Sequence, residues 1–92
     1  MIKRKLAKMP SANAHVEIGD DGSIVLVSYV TKVVIIDKDG WMTVTGLYSP
    51  TTRRHISRFM DEYTYYDYYF AKKLCEDGVR YNIKTGEVKK IE

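Results

Sequence analysis

Thirteen consecutive residues, Ile24 to Ile36, contain no glycine or proline and are dense in valine and isoleucine. Side chains branched at Cβ lose rotamer freedom in a helix and fit the pleat of a strand. Such a run commits the chain to a sheet, as one long bent strand or as two strands meeting near Tyr29. Asp37-Lys38-Asp39-Gly40 follows as the clearest turn signal, and Trp41 to Thr45 reads as the return strand of a hairpin. Upstream, His15-Val16-Glu17-Ile18 alternates, Gly19-Asp20-Asp21-Gly22 turns, and Ser23 to Ser28 reads as the return strand of a hairpin. Downstream, Val79 to Ile83 and Val88 to Ile91 flank Lys84-Thr85-Gly86-Glu87 as a terminal hairpin. Val33, Val34, Ile35 and Ile36 are all apolar, so both faces of that strand are expected to be covered.

Between these hairpins lies a helical pattern. Ser49 is a good N-cap, Pro50 suits the first helical position, and Gly78 is the stop. Stepping 100° per residue, Ile56, Phe59, Met60, Tyr63, Tyr66, Phe70 and Leu74 fall within about 120° of arc, with Asp67 the one misfit. The opposite arc holds Arg54, Arg58, Asp61, Tyr65, Tyr68, Tyr69 and Lys72. A continuous helix of roughly 28 residues would span about 42 Å, long for so small a domain. Either it breaks near Thr64 or it projects. Tyrosine and arginine are enriched at interfaces. The outer stripe (Arg54, Arg58, Tyr65, Tyr68, Tyr69 and Lys72) is therefore the candidate partner-binding face. Its alternatives are cover by the same chain and a homodimer seam. Arg53 and Arg54 place positive charge at the positive end of the helix dipole. With Thr51 and Thr52 they form a candidate anion or phosphate cradle. Arg58 has Glu62 four residues on as an ion-pair partner.

Charge narrows the partner. Four of the 15 basic residues (Lys3, Arg4, Lys5 and Lys8) fall in the first 14, which contain no acid. The other 11 face all 12 acids, so the body carries −1. Residues 1–14 thus read as a flexible basic arm on a near-neutral single domain, residues 15–92. That balance argues against a strongly basic nucleic-acid-binding surface. The one cysteine, Cys75, forms no intrachain disulfide and offers no cysteine-based zinc site, which suits a reducing cytoplasm. The longest apolar run is too short to span a membrane, and no apolar segment before Pro10 suggests a signal peptide.

Motifs for chemistry are missing. There is no glycine-rich phosphate loop, no His-x-x-x-His pair and no nucleophile elbow. Asp37-x-Asp39-Gly40 shares two positions with a calcium loop but lacks the third early ligand and the closing glutamate, and reads as a turn. Cys75 and His55 lie twenty residues apart on helical sequence, too far to act as a pair without a fold-back. These features predict a protein that is not an enzyme and carries no metal or cofactor.

Ser28-Tyr29-Val30-Thr31-Lys32-Val33-Val34, followed by Gly46-Leu47-Tyr48-Ser49-Pro50-Thr51-Thr52-Arg53-Arg54-His55-Ile56, resembles small bacteriophage and mobile-element proteins. They share a hairpin and a Tyr-Ser-x-Thr-Thr-x-x-His-Ile helix start, and the likeness covers roughly residues 28–63. The resemblance implies a phage-type origin and carries no catalytic residue across. It makes an inhibitor of a host or defence complex, in the manner of an anti-CRISPR protein, the sharpest functional expectation. A nucleic-acid-binding accessory protein and a structural homodimer are the alternatives.

The fold expected is α+β: an antiparallel sheet of four or more strands against one long, or broken, helix, with a C-terminal hairpin. Its expected core includes Val25, Val27, Val33, Ile35, Trp41, Val44, Ile56, Phe59, Tyr63, Phe70 and Leu74.

Overall fold

A computed structural model describes residues 1–91. The chain is α+β, but sheet dominates it and the expected plan needs correction. Seven antiparallel strands run in sequence order: β1 (Ile2–Arg4), β2 (Ala14–Ile18), β3 (Ile24–Ser28), β4 (Thr31–Ile36), β5 (Trp41–Val44), β6 (Val79–Asn82) and β7 (Val88–Lys90). Two short helices, α1 (Pro50–Tyr63) and α2 (Tyr68–Asp77), lie between β5 and β6 in place of one long helix. They form one layer, with α1 against β3 and α2 against β5 and β6.

The helical segment breaks because its side chains cap it twice. Thr64 is extended and its hydroxyl donates to the Met60 carbonyl at 2.8 Å, while accepting the Tyr66 N–H at 3.0 Å. Asp67, the polar misfit of the apolar stripe, is the N-cap of α2 and accepts the Phe70 N–H at 3.0 Å. Tyr66 then seats α2 on the sheet. Its ring stacks on Phe70 at 4.3 Å, and its hydroxyl lies 2.7 Å from that of Tyr81 on β6. That bond raises the Tyr66 phenol above its usual range.

The basic arm is a second correction, since this segment is folded. Ile2, Lys3 and Arg4 pair with Ile18, Glu17 and Val16. Leu6 is fully buried in the same cluster as Val16, Leu26, Ile56 and Phe59. Met9 and Ala12 pack against that cluster. Glu62 accepts the Ala7 N–H at 3.0 and 3.1 Å, so it is not the partner of Arg58, which instead approaches Asp61 at 4.0 Å.

The sheet has one covered and one open face. Leu26, Val34, Ile36, Met42 and Val44 turn to the helices and are buried. Val25 and Ile35 pair on the open face and are half-buried, as is Trp41, so the second face of β4 is only partly covered, not fully as expected. Val27, Val33, Val44, Ile56, Phe59 and Leu74 are buried as expected, while Tyr63 and Phe70 are only partly so. Val33 is an extra residue in β4: Leu26 pairs with Val34, whereas Val27 pairs with Lys32. This bulge lets residues from both parities of β4 point inward.

Candidate functional site

The Tyr-Ser-x-Thr-Thr-x-x-His-Ile segment meets Ser28, which sequence reasoning did not single out as a site residue. Ser28 ends β3, and its Oγ lies 2.9 Å from Thr52 Oγ1 and 2.8 Å from His55 Nδ1. Ser49 Oγ donates to Thr52 Oγ1 at 3.3 Å and caps the Thr52 N–H at 3.2 Å. If each hydroxyl donates onward, the order is Ser49, Thr52, Ser28, His55. This leaves the imidazole neutral with its proton on Nε2. Burial alone lowers the His55 pKa from its ordinary value.

A serine hydroxyl on a histidine nitrogen has the spacing of a nucleophile and its base. Here both are sealed: Ser28, Thr52 and His55 are 2%, 4% and 1% exposed. Among the described residues no carboxylate orients the ring, as the structure gives it only the Ser28 bond. The cluster is a latch that fastens the first two turns of α1 to β3. Thr52 is spent inside it, so its side chain is withdrawn from the expected anion cradle, while Thr51, Arg53 and Arg54 are exposed.

Two tyrosines flank the latch in left-handed backbone, Tyr29 at φ 56° and Tyr48 at φ 52°. Bulky residues hold this conformation at a cost of about 1–3 kcal/mol each, and only where surroundings enforce it. Tyr29 makes the tight turn to β4, and its ring stands 6.0 Å from His55. Tyr48 lies over Gly46, where a Cβ would come within 2.8 Å of Cζ, and its hydroxyl is 3.0 Å from Thr45 Oγ1.

The latch predicts a pH dependence. Between its folded and unfolded pKa values His55 holds fewer protons in the folded state, so stability rises with pH there. The melting temperature is expected to stay level above about pH 7 and to fall as pH drops through 6.5, the ordinary imidazole value. His55→Gln should flatten the step between pH 7.5 and 5.5. An unchanged step in that variant would assign the dependence to other groups.

The outer stripe only partly converges. Arg53, Arg54 and Ser57 of α1 meet Tyr68 and Tyr69 of α2 around an open cleft of about 370 Å³. Arg54, Ser57 and Arg58 line a neighbouring hollow of about 210 Å³ with Met9. The Tyr68 and Tyr69 rings meet edge-on at 5.5 Å; Tyr69 is exposed, whereas Tyr68 packs partly on the core. Tyr65 is fully exposed in the link between the helices and lines neither hollow. Lys72 is half-buried and also outside both. Neither Arg53 nor Arg54 has a carboxylate within 4.0 Å among the described residues.

No group of three or more metal-ligating side chains is found among the described residues. Burial and the neighbouring Glu76 push the Cys75 thiol up, away from the thiolate. Among the described residues no helix is long and apolar enough to cross a membrane.

No curated protein and no solved structure matches the chain. A family model does match, over residues 4–76, and so takes in the latch, α1 and most of α2. By that match the chain belongs to DUF8033, a family of unknown function.

Proposed function

We propose that the chain is a non-enzymatic binding protein that docks an acidic segment of a partner protein on its helical layer. One observation carries this reading: Arg53 and Arg54, which have no carboxylate within 4.0 Å among the described residues, share an open cleft with Tyr69. Arginine offers a planar fork to a carboxylate, and tyrosine adds contact area at modest entropic cost. The rigid footing beneath supports the same reading. Thr52 and His55 are latched to β3, which fixes the turn that bears both arginines. The resemblance to phage proteins makes a host or defence complex in the cytoplasm the first place to seek the partner.

Affinity capture from host lysate tests the proposal, with wild type set beside Arg54→Glu/Tyr69→Ala. Both changed side chains are exposed, so both forms should melt alike. Proteins held by wild type are expected to be lost from the variant, by tenfold or more if about 1.4 kcal/mol is removed. Identical captured sets would overturn the proposal.

A further inference from the structure

The open face of the sheet carries a row of side chains set by strand register. Lys3, Glu17, Val25, Ile35 and Thr43 are successive cross-strand partners from β1 to β5. Trp41 pairs with Asn82, so Arg80, two residues earlier on β6, shares that face. Arg80 in turn pairs directly with Lys89 on β7. Like charges placed opposite each other destabilise a strand pair. Neither cation has a carboxylate within 4.0 Å among the described residues. Instead both stand over the Trp41 ring, at 4.9 Å for the guanidinium carbon and 4.8 Å for the ammonium nitrogen. The ring's negative face offsets part of the repulsion. Both cations border a cavity of about 670 Å³ that Thr43, Lys90 and Ile91 also line.

Charge is segregated here in a way the total hides. Among the described residues Glu17 is the only acid within a strand, the others lying in turns, helices or the link between them. Its carboxylate is engaged by His15 at 2.9 Å. That bond, with Lys3 and Lys32 nearby, holds it below the usual carboxylate range. The face therefore offers Lys3, Lys32, Arg80 and Lys89 around an apolar floor of Val25 and Ile35.

We propose that this face binds the phosphodiester backbone of a single-stranded nucleic acid. Arg80 and Lys89 share one phosphate, and Lys3 and Lys32 meet others toward the β1 edge. A single strand exposes base faces that the apolar floor can cover, whereas a duplex stacks them inside. Six strand spacings of about 4.8 Å separate β1 from β7, a path of about 29 Å. This fits a molecule 30–34 Å across. It suits a short site, near the lower end of the roughly 4–16 nucleotides that sheet-faced single-strand binders cover.

The test is fluorescence anisotropy of a labelled 12-nucleotide oligothymidine with the whole chain, from 20 to 200 mM salt. Quenching of Trp41, the only tryptophan, provides a second signal. Binding is expected to weaken with salt at a log–log slope near −2, for about three phosphate contacts. Arg80→Ala/Lys89→Ala should weaken it by about tenfold and make the slope shallower by about 0.7. Arg54→Ala, on the helical layer, should leave it unchanged. Four outcomes would each overturn the proposal: no binding at the lowest salt, equal affinity in the double variant, preference for a duplex of the same length, or equal binding of polyglutamate. Because the two surfaces lie on opposite layers, Arg54 variants test the protein-docking reading and Arg80 variants test this one.

Discussion

Leu6→Ala is expected to lower the free energy of unfolding by about 2–5 kcal/mol, read as a shift of the urea midpoint at unchanged slope. Leu6 is among the largest fully buried side chains, although it sits in a segment with four bases and no acid. Its removal leaves a hole in the cluster that joins β2, β3 and α1. Local collapse cannot readily fill that hole, because the segment is held on both sides. Arg4 pairs with Val16 before it, and the Ala7 N–H is bonded to Glu62 after it. A domain of this size has about 5–15 kcal/mol in total, so the loss would bring it close to the threshold of folding. A change below about 0.5 kcal/mol, typical of an exposed position, would mean that residues 1–12 are not docked.

Asn82→Ala should cost about 2–4 kcal/mol, with a fall in melting temperature of about 4–8 °C per kcal/mol. Asn82 is 4% exposed and its amide ties two turns together. Its Oδ1 accepts the N–H groups of Lys84 and Thr85 at 2.8 and 3.1 Å, and its Nδ2 donates to the Asp39 carbonyl at 3.1 Å. Each bond is worth about 1 kcal/mol, and the partners left behind raise the cost. Gly40 belongs to the same joint. It has φ 94°, and a Cβ there would come within 3.0 Å of Asn82 Oδ1. Asn82→Asp keeps an acceptor for the two N–H groups but turns an oxygen toward the Asp39 carbonyl. It should recover only part of the loss. A melting temperature within two degrees of wild type for Asn82→Ala would remove the amide from the account.

Strand positions were legible because valine and isoleucine runs alternate with Asp–Gly turns. Their inward faces were not. Val25 and Leu26 are both apolar, as are Ile35 and Ile36, so alternation gave no parity and the Val33 bulge shifted it midway. The break in the helical segment left two traces: a length too great for so small a domain, which placed it near Thr64, and Asp67, a polar residue inside an apolar stripe that is a cap. The fate of residues 1–12 was hidden by their charge, although Leu6, Met9 and Ala12 recur every third residue and all face the core. The latch could not be found locally, since Ser28 and His55 are 27 positions apart and look like ordinary strand and helix residues. The open-face cations were obscured by counting charge along the chain rather than across the sheet.

The sequential order of the strands also shapes how the chain assembles. From β1 to β5 each strand pairs with the one made just before it, across connections short enough that closing them costs little entropy. Only the β5–β6 pairing must wait for a long stretch of chain, the one containing both helices, to be made and folded back. During synthesis the first five strands therefore leave the ribosome with every sheet neighbour present except β6, while their apolar face still lacks its cover. The exposed stage in this protein's life is the interval between completion of β5 and docking of both helices, of which the Ser28–His55 bond fastens the first and the seat of α2 on β5 and β6 completes the cover.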